Sequence, residues 1–338
     1  MKHTGERTKP KSVVAPHGQR SRFRISPTDL LLLLAVVFLW ALCYPLIRMG
    51  LAFAPPLHFA AIRAGLAGAS LVALCFLTSR PMPQGLWVWV GLVGVGLSAT
   101  SVGFAGMFLG GGYVTPGLAT VLANAQPLMA AGIGYLVLSE RLHSTQAIAL
   151  LTGFVGITII AIPRMTASPE GSSGTGIGFV LVAALGVAVG NVLLKKLAGR
   201  ADPVAAMGWQ FLIGAIPLFL TAWLVEASES VRWYPEFVLT LSALSILGTA
   251  VAFVLWFSLL QRYELNRLNT FTFLTPVFAL SLGALFFAER LSAPEWMGTT
   301  LVVAAAILAS KAGARGIAAA QEQTARSSLS DEHYGKMN

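Results

Sequence analysis

An arginine lies inside a long apolar stretch of this chain, where a charged side chain is costly and usually has a role. Arg63 stands in the run FAAIRAGLAGASLVALCFL, among small and apolar residues. A guanidinium is planar and carries five donors, so it suits the carboxylate of a bound molecule. The alternative is that Arg63 extends to the nearer end of the apolar run, roughly 9 Å away by helical rise. Gln210 occupies a matching place later in the chain, and this favours a binding role for both residues.

Two prolines, Pro127 and Pro276, fall near the middle of two other apolar runs. Each removes an amide donor and frees the carbonyl four residues before it, so we interpret both as hinges. Polar side chains surround them and are candidate ligands for the polar groups of a substrate: Asn124, Gln126, Thr272 and Thr275. The alternative is that these side chains only hydrogen-bond to neighbouring helices and to the kinked backbone.

Aromatic residues form a third group of candidates. Trp40 and Tyr44 are one helical turn apart and share a helix face, so they could stack on an apolar or aromatic substrate. Trp256 is their first candidate companion, and Phe104, Phe108 and Phe271 are others. Packing and anchoring at an interface are the alternatives for all of them.

Composition decides which solvent surrounds these candidates. Of 338 residues, 11% are charged and 56% are hydrophobic, which leaves too little polar surface for a water-soluble globule. Lipid is therefore the solvent, and runs of about 20 apolar residues cross its ~30 Å core as helices. Ten such runs lie near 29–49, 57–78, 87–109, 117–138, 146–163, 176–194, 204–225, 237–260, 267–288 and 295–311. We expect an all-α integral membrane protein with ten transmembrane helices.

The chain also repeats itself. GYLVLSERL at 134–142 is followed later by ALFFAERL at 284–291. The other matching landmarks are Pro127 with Pro276, Pro56 with Pro203, Arg63 with Gln210, and LIRMG with LLKKL. Agreement between separate landmarks predicts a duplicated five-span unit. Since five is odd, the second unit enters the membrane upside down, an arrangement typical of secondary transporters.

Lys and Arg residues outside the spans indicate the orientation, because positive loops stay in the cytoplasm. Most of these Lys and Arg residues lie in segments that are on the same side of the membrane as the N-terminus. We therefore expect both termini in the cytoplasm, at a cell inner (plasma) membrane. The net charge of +9 then faces anionic lipid, and no nucleic-acid partner is expected. The predicted organisation is a basic tail (1–28), a first five-helix repeat (29–163), a linker (164–175), a second repeat (176–311) and a tail (312–338).

Smaller features have packing interpretations. Ser292 to Glu295 reads as a capping box, so the Glu-Arg-Leu segments before the fifth and tenth spans are expected to be tight turns, with a gate role as the alternative. Glycines four apart, at 106 and 110 and at 186 and 190, are expected to allow close helix packing. Cys43 and Cys75 differ in depth by roughly 18 Å and are expected to be packing residues rather than a disulfide.

Several of these motifs resemble the EamA-type carriers of the drug/metabolite transporter superfamily. The motifs are WALCYPLIRMG, NAQPLMAAGIGYLVLSERL and TFTFLTPVFALSLGALFFAERL, and the likeness covers roughly residues 29–311. It implies two EamA repeats and a substrate among amino acids, other metabolites or drugs. The sixth span, GVAVGNVLLKKL, has no counterpart of Trp40 or Tyr44, so a site shaped by those aromatics is lopsided.

Absent motifs narrow the function. The sequence has no HExxH, no P-loop, no cysteine cluster and no paired acids inside the predicted spans, so we expect neither an enzyme nor a metal or other cofactor. Without intramembrane acids, we favour a facilitator or an exchanger. The sequence therefore predicts a small-molecule carrier with alternating access that exports amino acids or similar metabolites. A membrane sensor or scaffold that binds a ligand without moving it is the alternative.

Overall fold

A computed structural model describes residues 25–111, 113, 122–138, 144–166, 174–227, 229–287 and 292–308. Its regular elements over these ranges are all helical. They are α1 (Pro27–Gly50), α2 (Pro56–Leu77), α3 (Leu86–Gly110), α4 (Gln126–Leu138), α5 (Ser144–Thr166), α6 (Gly174–Leu197), α7 (Pro203–Val225), α8 (Pro235–Leu260), α9a (Leu265–Thr272), α9b (Leu274–Phe287) and α10 (Ala293–Leu308).

Six of these helices, α1, α2, α3, α6, α7 and α8, are long and apolar enough to cross a membrane. They confirm the corresponding predicted spans, and they are what a membrane protein requires. Three further apolar helices are shorter within the described residues: α4, Ser144–Ile160 of α5, and α10. The other predicted spans, and the count of ten, remain predictions. The repeated Glu-Arg-Leu segments at 140–142 and 289–291 lie outside the described residues.

Local sequence signals explain where several helices begin. Proline occupies the first position of α1, α2, α7 and α8, where its missing N–H has no helical partner to lose. Asp202 caps α7 by accepting from the backbone of its first turn. The predicted capping box of α10 is confirmed, because the Glu295 carboxylate accepts from both the backbone N–H and the hydroxyl of Ser292.

Helices α2 and α7 form an extensive helix pair, and they run antiparallel. At one end, the Glu226 carboxylate that follows α7 accepts from the backbone N–H groups of Leu57 and His58 in the first turn of α2. At the other end, Arg80 beyond α2 pairs with Asp202 before α7 at 3.1 Å. Between the ends Gly68 lets the backbones touch, since a Cβ there would lie 2.8 Å from the backbone nitrogen of Leu212.

Helices α3 and α6 pack through the glycines that the sequence singled out. A Cβ on Gly106 would lie 2.5 Å from the carbonyl oxygen of Phe179, and one on Gly110 would lie 2.6 Å from the side chain of Val180. From the other side, a Cβ on Gly186 would lie 2.5 Å from the carbonyl oxygen of Ser98. The expectation of close packing is confirmed, and both glycine pairs serve one interface.

This interface gives a test with an internal control. Gly186→Ala is expected to destabilise the protein by about 1–3 kcal/mol, because the new methyl group meets backbone that cannot move aside cheaply. Gly178→Ala, on the same helix, is expected to be neutral or stabilising, because no atom lies within 4 Å of its Cβ position and alanine favours helix. Thermal unfolding in detergent compares the two variants. Equal melting temperatures would contradict the close packing.

The first helix of each predicted repeat packs mainly against helices of the other repeat. Helix α1 contacts α8, α9a and α9b, whereas α6 contacts α3 and α4. On α1, the Cys43 thiol lies 3.6 Å from the carbonyl oxygen of Gly248 in α8. Cys43 and Cys75 are both free and buried, which agrees with the packing interpretation. The two halves of the chain are therefore interlocked.

Two irregularities stand at matching places in α3 and α8. Each helix contains a π-helical segment, Gly96–Val102 in α3 and Ile246–Val251 in α8. Hydroxyl groups donate to the carbonyls that the wider turns leave open, from Thr249 to Leu244 and from Ser101 to Gly96. These two segments were not predicted from the sequence, and π-helical segments are frequent at functional sites.

The predicted proline kinks are breaks between helices. The chain turns at residues 124–125 before α4 and at Phe273 between α9a and α9b, in each case just before the proline. Pro127 and Pro276 then lie in the first turn of α4 and of α9b, where proline fits because no N–H is needed. Whether they act as hinges stays a prediction.

Candidate functional site

Arg63 lies in the interior, with 2% of its surface exposed. Its Nε donates to the Thr249 hydroxyl at 2.8 Å, and its Nη2 lies 3.7 Å from the Cys43 thiol. The guanidinium also stacks on the ring of Phe104, 4.5 Å from its centroid, and lies near Phe108. The guanidinium is therefore enclosed between α1, α3 and α8.

Gln210 has a matching arrangement in the other half. Its side-chain oxygen accepts from the Thr100 hydroxyl at 2.8 Å, and the residue is 1% exposed. Thr100 and Thr249 occupy equivalent places in the two π-helical segments. Each pair therefore joins a central helix of one half to the irregular segment of the other half. One half uses a cation for this contact and the other uses a neutral amide.

An aromatic cluster surrounds the same region. Trp40 on α1 packs against Trp256 and Phe253 of α8, with ring centroids 5.2 and 5.5 Å apart. The indole N–H of Trp256 donates to Asn191 of α6 at 3.0 Å. The indole nitrogen of Trp40 is buried and has no hydrogen-bond partner among the described residues. Tyr44 follows one turn later on α1, but its side chain lies outside the described residues.

The polar candidates near the helix breaks are at least partly enclosed. Asn124 and Gln126 are half-buried, and the side-chain nitrogen of Gln126 is buried without a partner among the described residues. Thr272 is buried and donates to the backbone carbonyl of Asn269 at 2.7 Å. Thr275 is half-buried in the first turn of α9b. These residues flank the two breaks, and their role as ligands stays a prediction.

Helix α9a falls at the start of the predicted ninth span, 267–288, but its separation from α9b and its complete burial were not predicted. All eight residues of Leu265–Thr272 are buried, including Asn266, Arg267 and Asn269. Arg267 is the first residue of that predicted span, and in the structure it is 5% exposed with its guanidinium over the ring of Tyr263. The available signal was the spacing of the two asparagines, three residues apart beside Leu265 and Leu268.

The end of the bundle where α1 begins is held by a polar cluster. The Asp29 carboxylate accepts from Arg262 and from the Tyr263 hydroxyl, both at 2.7 Å, and from Ser26 at 2.9 Å. Burial, and then the hydrogen bond to Asp29, raise the pKa of Tyr263 above its ordinary value, so the hydroxyl stays a donor. Lys195 of α6 donates to the carbonyl of Leu260 at the end of α8. This cluster links α1 to the segment between α8 and α9a.

The opposite end carries a surface pocket of about 410 Å³. Residues 51–56 and 229–232 line it, and Phe108 forms part of its floor. Phe108 is fully buried and packs edge-on against Phe59, with 5.3 Å between the ring centroids. Because Arg63 stacks on the same group of rings, aromatic side chains separate the pocket from the buried guanidinium.

These features define the class of protein to which the chain belongs. An all-helical chain with six apolar helices of membrane length and a buried polar centre is a multi-pass membrane protein. The chain belongs to the EamA-like transporter family, whose sequence pattern it matches twice, over residues 28–162 and 174–311. It is therefore a transporter rather than an enzyme, with a small molecule as substrate and lipid as surroundings.

Known relatives agree with this membership. The chain is 30% identical to an uncharacterized transporter of Synechocystis, over 81% of this chain and 87% of the relative. It is also 30% identical to a probable amino-acid metabolite efflux pump of Escherichia coli, over 82% of this chain and 93% of the pump. A solved crystal structure with 20% identity covers 85% of this chain and 98% of its own, with a TM-score of 0.72, and shares the fold.

Proposed function

We propose that the protein is a secondary carrier that exports amino acids or similar small metabolites by alternating access. The observation that carries the proposal is the matched pair of contacts, Arg63 with Thr249 and Gln210 with Thr100. Two equivalent contacts that cross between the halves allow the halves to exchange conformations, which is how inverted repeats open a site to each side in turn. The similarity to the probable amino-acid metabolite efflux pump of Escherichia coli supports export of amino-acid metabolites.

The proposed topology is ten spans in two inverted five-helix repeats, residues 29–163 and 176–311. The antiparallel course of α2 and α7, which hold the corresponding residues Arg63 and Gln210, supports it. In this topology the basic tails at 1–28 and 312–338 lie in the cytoplasm, residues 164–175 link the repeats outside, and the protein resides in the inner (plasma) membrane.

Reporter fusions test this topology. A reporter placed after residue 165 is expected outside and one placed after residue 315 inside, because an odd number of spans separates the two points. A periplasmic phosphatase and a cytoplasmic fluorescent protein, each fused at both points, give complementary signals. Finding both points on one side would contradict the inverted repeat.

The proposed site combines the residues that the sequence singled out. Arg63 pairs with a substrate carboxylate, and Gln210 is its neutral counterpart. Trp40, Tyr44 and Trp256 hold the apolar part of the substrate, and the side chains at the helix breaks bind its polar groups: Asn124, Gln126, Thr272 and Thr275. Pro127 and Pro276 are the proposed hinges. The first helix of each repeat packs against the other repeat, so movement between the halves would change this site directly.

Counterflow in proteoliposomes tests the function. Vesicles that hold the purified protein and unlabelled amino acids are expected to accumulate labelled amino acid transiently, because a carrier exchanges the two across the membrane. Arg63→Gln protein gives the matched control, and protein-free vesicles set the background. Binding without counterflow would contradict the carrier and favour a sensor or scaffold.

A further inference from the structure

Helix α9a is short, polar and yet wholly enclosed. It contacts α1, α4, α5, α6 and α8, so it stands among the helices of the bundle instead of at the edge. Leu265, Leu268 and Phe271 join the same apolar core as Trp256. The polar side chains of α9a are thus held inside the molecule next to the aromatic cluster.

Among these side chains, Asn269 has the most polar atoms without a hydrogen-bond partner. The residue is 0% exposed, and neither its amide oxygen nor its amide nitrogen has a hydrogen-bond partner among the described residues. Asn266 lies one turn earlier and is 1% exposed. Its amide oxygen also has no hydrogen-bond partner among the described residues. The threonines of α9a differ, because Thr270 and Thr272 donate to carbonyls of their own helix. Buried amides are normally bonded, so these two asparagines call for a partner.

A third buried amide group with an unbonded atom lies on the neighbouring helix. The side-chain nitrogen of Gln126 on α4 is buried without a partner among the described residues, and α4 contacts α9a. Together the three side chains offer two oxygen acceptors, from Asn266 and Asn269, and two nitrogen donors, from Asn269 and Gln126. The set is uncharged and balanced between donors and acceptors.

The donors and acceptors of the three amides restrict which ligand fits. The one cation on α9a, Arg267, is offset by Glu264 immediately before the helix, so these charges favour neither sign strongly. A ligand with only an ammonium group would engage the two amide oxygens and leave the two nitrogens without an acceptor. A ligand with only a carboxylate would engage the donors and leave the two amide oxygens unpaired. A head group with an ammonium next to a carboxylate satisfies the whole set.

We propose that Asn266, Asn269 and Gln126 form a head-group subsite for a small zwitterion. The asparagine oxygens accept from its ammonium group, and the nitrogens of Asn269 and Gln126 donate to its carboxylate. The inference rests on the proposed function, since a carrier is what brings such a molecule to the centre of the bundle. Helix α9a follows the Asp29 end, and Arg63 lies toward the pocket at the other end, so the two meet the substrate at successive points of its path.

The first test separates binding from structure. Asn269→Leu keeps the shape of the side chain and removes both polar atoms. Because those atoms have no hydrogen-bond partner in the part of the chain that the structure describes, the melting temperature of the full-length protein in detergent is expected to stay the same or rise. Thr270→Val is the matched control, since it removes a buried hydroxyl on the same helix that already has a partner. A fall in melting temperature for Asn269→Leu that equals or exceeds the fall for Thr270→Val would overturn the subsite.

The second test identifies the head group. The twenty standard amino acids are screened one by one for a rise in the melting temperature of the wild-type protein. For each that gives one, the deaminated acid and the decarboxylated amine are expected to bind at least about tenfold more weakly, and Asn269→Leu is expected to lose at least about tenfold in affinity. Equal binding of an acid or an amine, retained affinity in Asn269→Leu, or no response to any amino acid would overturn the inference. Counterflow on the same samples decides separately whether the protein is a carrier.

Discussion

Replacing Arg63 with glutamine is expected to reduce transport of carboxylate substrates by about 10- to 150-fold while leaving the fold intact. The fold should tolerate glutamine because the other half already has that arrangement, with Gln210 bonded to Thr100. A glutamine at position 63 can bond to Thr249 in the same way. What is lost is the charge, and a hydrogen bond to a charged group contributes about 1.5–3 kcal/mol.

The comparison of an acid with its amide makes this test specific. For each transported amino acid, uptake of the acid and of its carboxamide is measured in proteoliposomes that hold wild-type or Arg63→Gln protein. Only the acid should lose affinity if the guanidinium meets the carboxylate. Arg63→Leu serves as the structural control, because it removes the bond to Thr249 and is expected to lower the melting temperature. Parallel losses for acid and amide would assign Arg63 a packing role.

Removing the Asp29 carboxylate is expected to loosen α1 from α8 and to expose Cys43 to thiol reagents. Asp29 is buried and accepts from Ser26, Arg262 and Tyr263, so Asp29→Ala leaves several donors without an acceptor. Each hydrogen bond to a charged group contributes about 1.5–3 kcal/mol, so the open population should rise by at least about tenfold. Cys43 reports the change because its thiol lies against Gly248 of α8.

The protein provides the controls for this measurement. Cys75 on α2 is the only other cysteine of the chain, is buried, and does not belong to the α1–α8 contact, so its labelling rate should stay constant. Arg262→Gln should raise the labelling of Cys43 less than Asp29→Ala does, because the Arg262 side chain is 51% exposed and Ser26 and Tyr263 still donate to the carboxylate. Faster labelling of both cysteines in Asp29→Ala would indicate general unfolding and contradict a local opening.

The parts of the structure that the sequence predicted are those with local causes. Apolar runs define α2 and α7, the Ser292 to Glu295 box begins α10, and glycines four apart mark the contact of α3 with α6. Each of these signals lies within a few residues of the feature it produces. The same is true of the proline positions, although the chain breaks there and does not merely kink.

The parts that escaped prediction depend on distant residues. Arg63 donates a hydrogen bond to Thr249, which is 186 positions away in the sequence, and no local pattern predicts that contact. The predicted ninth span begins at residue 267, but the complete burial of Asn266, Arg267 and Asn269 was not predicted, because that burial depends on the neighbouring helices that enclose them. The π-helical segments lie inside continuous apolar runs, so the search for such runs did not separate them from the α-helix around them.

The exchange of α1 between the halves has a consequence for the order in which the chain is made. Cys43 meets Gly248, a residue synthesised 205 positions later. At about 5–20 residues per second, α1 waits on the order of 10–40 s in the membrane before its partner helix exists. During that time Trp40 and Cys43 face lipid or the insertion machinery. The newborn α1 must therefore be stable in the bilayer alone, and it is the most apolar of the six long helices.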